Sequence, residues 1–208
     1  MIKFWVKTTK DGQPGISVLE HMLNVGFVAK SLAKINSTFL SQSELDLDHV
    51  GFFAALHDLG KISPGFQQKC CEWIKQNDLI TISKNCCWDT SMELNHGKTS
   101  QATIQSILSE FGIQKKILRN LAAVLGAHHG RILALPDPRG ITTGKINEDG
   151  NKIKSTIDWN QERINCVTDI LKILPFDINS FSLNFLFKIL HCLIENCFTR
   201  SSHHLSLS

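Results

Sequence analysis

A carboxylate stands where a buried helix should carry only apolar side chains. In AALHDLGK (54–61), His57 and Asp58 follow a strongly apolar run. At helical spacing they continue the rows of Phe53 and Ala54. Burying an ionised carboxylate without a partner costs several kcal/mol. The fold must therefore bring a compensating group to Asp58, either a metal ion or a tight hydrogen-bond network.

The surrounding pattern is helical. Residues 16–35 read as a helix opened by a Ser17–Glu20 capping box, with an apolar stripe of Leu19, Met22, Leu23, Gly26 and Phe27. His21 lies inside that face. Residues 46–59 read as a second helix, with Asp46 or Asp48 as N-cap and Gly60 as the residue after its C-terminus. A short amphipathic helix around Phe66, Trp73, Ile74 and Leu79 and then a polar loop are expected within 64–95. Helices follow at 97–111, 114–128, 159–172 and 181–199. Residues 130–157, broken by Pro136, Pro138, Gly140, Gly144 and Gly150, read as a long loop. GITTGK (140–145) has three residues between its glycines where a phosphate-binding loop needs four, and Ile146 replaces the Ser or Thr, so that motif is excluded. No stretch reads as a sheet. The expected fold is all-α: a single helical bundle over 1–208, its core about 16–201.

Six residues sit oddly on these faces: His21, His57, Asp58, His96, His128 and His129. One histidine on an apolar row is ordinarily a satisfied core histidine. Six such residues from four segments, two pairs of them adjacent, point instead to convergence. Neighbours in a helix diverge by about 100°, so each pair can serve two ions, or one ion and its surroundings. Imidazole with carboxylate suits Mn, Fe, Co, Ni or Zn, whereas a mainly oxygen site would suit Mg. A metal would also offset the buried charge of Asp58.

Composition excludes some classes. Charged residues make up 20% and apolar residues 42%, an ordinary globular balance. A formal charge of +3 permits nucleic-acid binding without arguing for it. Residues 1–15 lack a secretory apolar region, and no eighteen-residue apolar stretch suggests a membrane span. The seven cysteines include the adjacent pairs Cys70-Cys71 and Cys86-Cys87, which suits a reduced, cytoplasmic setting. The pairs lack C-x-x-C spacing, so buried thiols are the simpler reading than a zinc site.

The order H…HD…H…HH resembles the HD superfamily of metal-dependent phosphohydrolases. ISVLEHMLNV (16–25), FAALHDLGKISPGFQQK (53–69), LNHGKTS (94–100) and VLGAHHGRI (124–132) resemble one branch of it. That branch is the HD nuclease domain of the helicase-nuclease that degrades target DNA in type I CRISPR systems. The resemblance covers about residues 3–201. It implies a two-metal centre bridged by Asp58, with His57 a ligand beside it, His21 on one metal, and His96, His128 and His129 on the other. It implies a catalytic role for Asp58 and for Lys61, which would stabilise charge on the scissile phosphate. It implies hydrolysis of single-stranded DNA with transition-metal ions, one or two per chain. Lys61, Lys98 and Arg131, with Arg139 and Lys145, become candidate phosphate contacts.

Two departures stand out. The family supplies a further Asp from its last helix, but alignment on Ser201 puts Cys197 there, and Leu186, Leu190 and Leu193 share its face. Asn196 is the alternative. No helicase motor is seen, so either the motor is a separate chain or this is an isolated or truncated domain; the partners expected are a separate helicase chain and the CRISPR effector complex, with no membrane. His203 and His204 lie outside the pattern. Two other functions compete: an HD phosphohydrolase acting on nucleotides or cyclic nucleotides, and a degenerate HD domain that acts by binding protein.

Overall fold

A computed structural model describes residues 3–35, 46–77, 80–81, 95–129, 153–154, 157–175 and 177. Within them run α1 (Val18–Ile35), α2 (Leu47–Ala55), a 3-10 turn (Leu56–Lys61), α3 (Pro64–Gln67), α4 (Cys71–Gln76) and β1 (Ile80–Thr81). Then come α5 (His96–Glu110), α6 (Lys115–Gly126), β2 (Ile153–Lys154) and α7 (Trp159–Ile173). The fold is all-α in substance. Among the described residues the strands are a two-residue antiparallel pair, Ile80 opposite Lys154 and Thr81 opposite Ile153, with isolated bridges at Trp5–Ser17 and Thr8–Pro14. Pairings this short leave no alternation to read.

Local chemistry sets the helix starts. The Ser17 hydroxyl accepts from the Glu20 N–H at 3.2 Å, half of the expected capping box. Between the two N-cap candidates of α2, Asp46 fills the role, accepting from the His49 N–H at 2.8 Å. Asp48 instead pairs with Lys30 of α1. Asn95 caps α5 through the Gly97 N–H, so the helix begins at His96 itself.

Helix α1 packs on α2, α5 packs on α6, and the 3-10 turn is wedged between α1 and α5. At the first crossing, a Cβ on Gly26 would stand 2.8 Å from the Gly51 carbonyl oxygen and 3.2 Å from the Ala55 Cβ. The two helices approach this closely only because Gly26 has no side chain. The core includes Met22, Phe52, Leu56, Leu59, Ile104, Leu108, Leu118, Leu121 and Ile170, together with Phe4, Trp5 and Val6 from the N-terminal segment. Each large apolar side chain buried this way contributes roughly 1.5–3 kcal/mol.

Several expectations need correction. The second helix does not run to 59: α-helical bonding ends at Ala55, and the HD pair rides on the tighter 3-10 turn. Gly60 does not take up the left-handed conformation of a helix cap, which among the described glycines belongs to Gly12 and Gly112. It serves close packing instead, since a Cβ there would lie 2.1 Å from the His96 carbonyl oxygen. Phe27 is 47% exposed, as are to similar or greater degree Val28, Leu32 and Ile35. The expected helix around Phe66–Leu79 divides into α3 and α4, because Ser63 caps a fresh turn at Pro64. The 114–128 helix closes at Gly126, leaving His128 and His129 on the turn beyond it. The expected 181–199 helix and most of the 130–157 loop lie outside the described residues.

Candidate metal centre

Four elements deliver six side chains to one place. His21 comes from the first turns of α1, His57 and Asp58 from the 3-10 turn, His96 from the first residue of α5, and His128 and His129 from the turn after α6. Asp58 is the hub, only 2% exposed. Its Oδ2 lies 3.1 Å from His21 Nε2, 3.2 Å from His57 Nε2 and 2.6 Å from Lys61 Nζ. Its Oδ1 faces the other way, 3.4 Å from His96 Nε2 and 3.5 Å from His128 Nε2, and accepts no hydrogen bond. His129 joins through His96, Nε2 to Nε2 at 2.7 Å.

The backbone decides which ring nitrogens face inward. His57 Nδ1 donates to the Ala54 carbonyl at 2.9 Å, and His128 Nδ1 donates to the Leu125 carbonyl at 2.7 Å. A carbonyl only accepts, so Nδ1 carries the proton in both rings. In a neutral ring Nε2 then presents a lone pair to the centre, the orientation metal-binding histidines adopt.

Electrostatics favours that neutral state for most of the rings. Burial pushes His96 down to about 4, against the pull of Asp58 and with help from Lys61. Burial also lowers His21 and His128. Asp58 goes to its charged form: burial opposes ionisation, but hydrogen bonds and charge from His57, in its protonated form, and from the Lys61 ammonium outweigh it and hold the carboxyl well below the usual range. With the rings neutral, Lys61 still donates to Oδ2, but Oδ1 and the imidazole lone pairs are acceptors facing acceptors, and a bound cation relieves them.

The donor set fits such an ion. His21, His57 and Asp58 form one group whose ligand atoms lie within 4.8 Å of one another, and His96, His128 and His129 form a second. The unbonded Asp58 Oδ1 faces the second group while Oδ2 serves the first. Imidazole with carboxylate suits a divalent transition ion at each group. Among the described residues no cysteine belongs to such a cluster. Cys70 is a buried thiol 3.6 Å from the Gly12 carbonyl oxygen, and burial pushes the Cys166 thiol up to about 12.

Of the phosphate-contact candidates, Lys61 is in the centre, its ammonium also 5.5 Å from the Phe66 ring centroid. Lys98 is exposed on the first turn of α5. Arg131, Arg139, Lys145, Asn196 and Cys197 lie outside the described residues.

The residues that grip the turn were not legible as functional. Ser100 donates to the His57 carbonyl at 3.1 Å and accepts from the Gly60 N–H at 2.9 Å. Gln67, fully buried, donates to the Lys61 carbonyl at 2.8 Å and bonds Trp5 on its other sides. Arg163 of α7, 1% exposed, donates to the Ile62 carbonyl at 2.9 Å. Spacing gave a hint for Ser100, one turn beyond His96 on the same face. Nothing local marks Arg163.

An all-α bundle with an HD dyad at the hub of converging histidines defines an HD-type metal-binding domain. The model of the family "Cas3, HD domain" matches residues 5–199. The chain belongs to the Cas3 HD-domain family. It is 29% identical over 130 residues to the CRISPR-associated endonuclease/helicase Cas3 of Thermus thermophilus, covering 58% of this chain but 14% of that protein. The fold is shared with T. fusca Cas3-AMPPNP at a TM-score of 0.62 and 20% identity, over 84% of this chain and 20% of that one. It is shared also with the Thermus thermophilus cas3 HD domain solved in the presence of Ni2+. There the TM-score is 0.59 and identity 19%, over 92% of this chain and 72% of that one. Among the described residues no helix is long and apolar enough to cross a membrane.

Proposed function

We propose that this chain is a metal-dependent nuclease unit that hydrolyses phosphodiester bonds of single-stranded DNA during type I CRISPR interference. One observation carries the reading: Asp58 turns one oxygen to the His21–His57 group and the other to the His96–His128 group. A carboxylate split in this way suits a bridge between two cations. His21 and His57 would hold one ion, and His96, His128 and His129 the other, in one domain spanning residues 1–208.

Divalent ions bound there would activate water and neutralise the phosphate oxygens. The chain's own residues do the rest. The Ala54 and Leu125 carbonyls hold the His57 and His128 rings in place. Lys61, partly covered and anchored on Asp58, supplies a fixed positive charge for a phosphate oxygen that gains charge as the bond breaks. Exposed His129 leaves the second group open to solvent, which suits a strand more than an enclosed nucleotide. Lys98 and Arg131 are further phosphate contacts. Cys197 takes the place of the family's final Asp and favours softer ions at the His21 site. A separate helicase chain and the CRISPR effector complex are the partners that would present the strand.

The test is cleavage of circular single-stranded DNA with Mn, Co, Ni, Zn or Mg. Metal-dependent cutting of the closed circle supports the reading, and hydrolysis confined to free nucleotides would replace it.

A further inference from the structure

We propose that Ser100 is a positioning residue that sets the distance between the two metal groups; this rests on the two-ion reading above. The two groups stand on different elements: His57 and Asp58 on the 3-10 turn, His96 at the start of α5. Any slip between those elements moves Asp58 Oδ1 relative to His96 Nε2. Ser100 lies across that boundary, its hydroxyl donating to the His57 carbonyl at 3.1 Å and accepting from the Gly60 N–H at 2.9 Å. These backbone groups flank Asp58, so one side chain of α5 holds both ends of the segment that carries the bridge.

The packing around it leaves no room for adjustment. Ser100 is fully buried. A Cβ on Gly60 would meet the His96 carbonyl oxygen at 2.1 Å, the Ser100 backbone nitrogen at 2.4 Å and its Oγ at 2.8 Å. The turn therefore lies flush on the first turn of α5, and the Ser100 hydroxyl fixes its register there. Gln67 and Arg163 hold the carbonyls of Lys61 and Ile62, but neither belongs to the element carrying His96. Only Ser100, among these three, joins the two groups directly. Removing its hydroxyl deletes both of these bonds across the boundary, and the turn regains freedom to slide.

The full chain, loaded with two equivalents of Mn, tests this by electron paramagnetic resonance. Two Mn ions bridged by Asp58 give an exchange-coupled spectrum, which reports their separation. Ser100→Ala is expected to lose the coupling and to bind the second ion roughly 10–100-fold more weakly, as removal of supporting hydrogen bonds around metal ligands does. Ser106→Ala, which deletes a hydroxyl bonded to Thr103 on the same helix, is expected to keep both. Should Ser100→Ala fail to fold, Ser100→Cys keeps a weaker donor and acceptor in place and is expected to show partial loss. A coupled spectrum unchanged in the folded Ser100 variant overturns the inference alone. A wild type that binds fewer than two ions overturns the two-ion reading and this inference with it.

Discussion

His96 and His129 stand Nε2 to Nε2 at 2.7 Å, a separation that takes either a proton or a cation held between the two nitrogens. His128 Nε2 lies 3.3 Å from the same atom. Three inward nitrogens this close are relieved by a cation among them. A ligand that binds only the folded state stabilises it, by about 2.7 kcal/mol at a hundredfold excess over Kd. In a chain of this length that is a rise of roughly 5–10 °C in Tm. Adding Mn, Co or Ni to chelator-treated protein should give such a rise, and His129→Ala should reduce it. A melting curve indifferent to metal would remove the basis for the second group.

The metal-free protein should lose stability in mild acid. His96 is held at about 4 by burial, below its ordinary 6.5, and His21 and His128 are lowered too. Between those values the unfolded chain takes up protons that the folded one does not, so stability falls as pH drops from about 6.5 towards 4. Asp58, also lowered, has the same sign: its contribution is present above the ordinary carboxylate range and is lost only in stronger acid. Thermal melts in chelator should show Tm falling across that window, and His96→Gln should flatten part of the slope.

Lys61 should separate metal binding from turnover. Its ammonium sits 2.6 Å from Asp58 Oδ2, yet it ligates no metal. Lys61→Met should leave both ions bound and lower the rate of DNA cleavage by roughly 10²–10³-fold, the scale of losing one charge-stabilising donor. Titration calorimetry with Mn, run beside the cleavage assay, distinguishes this from a loss of metal.

Most of the candidate cluster was legible because a polar residue in an apolar row violates the pattern that defines the row. His21 among Val18, Met22 and Val25, and Asp58 after Phe53, Ala54 and Ala55, are such violations. The 3-10 turn was not readable, since an apolar run followed by HD continues either helix equally well for one more turn. The closeness of Gly60 to α5 is a tertiary fact, and the sequence offers only a glycine, for which a helix cap is the more familiar use. The exposure of Phe27 has the same origin: a stripe predicts a face, not what covers it. Arg163 lies 101 residues from the carbonyl it holds, and only the fold connects them.

The family model matches this chain as far as residue 199, and the register proposed from Ser201 puts Cys197 at the position of the family's final Asp. If Cys197 stands at the family's aspartate position, Cys197→Asp should raise occupancy of the His21 site by hard ions such as Mn, and cleavage with it. Equilibrium dialysis with Mn gives the occupancy. No change in either quantity would place the missing ligand elsewhere, with Asn196 the next residue to vary.

The central claim is that Asp58 holds two ions that cut DNA, and the most direct measurement is cleavage of circular single-stranded DNA by the purified chain beside Asp58→Ala. The account predicts opening of the circle by the wild type with a transition-metal ion, no opening by the variant, and the same helical circular-dichroism spectrum for both. Cleavage that persists undiminished in a folded Asp58→Ala protein would contradict it. Absence of cleavage with every metal would also count against it, turning attention to nucleotide hydrolysis or to protein binding without catalysis.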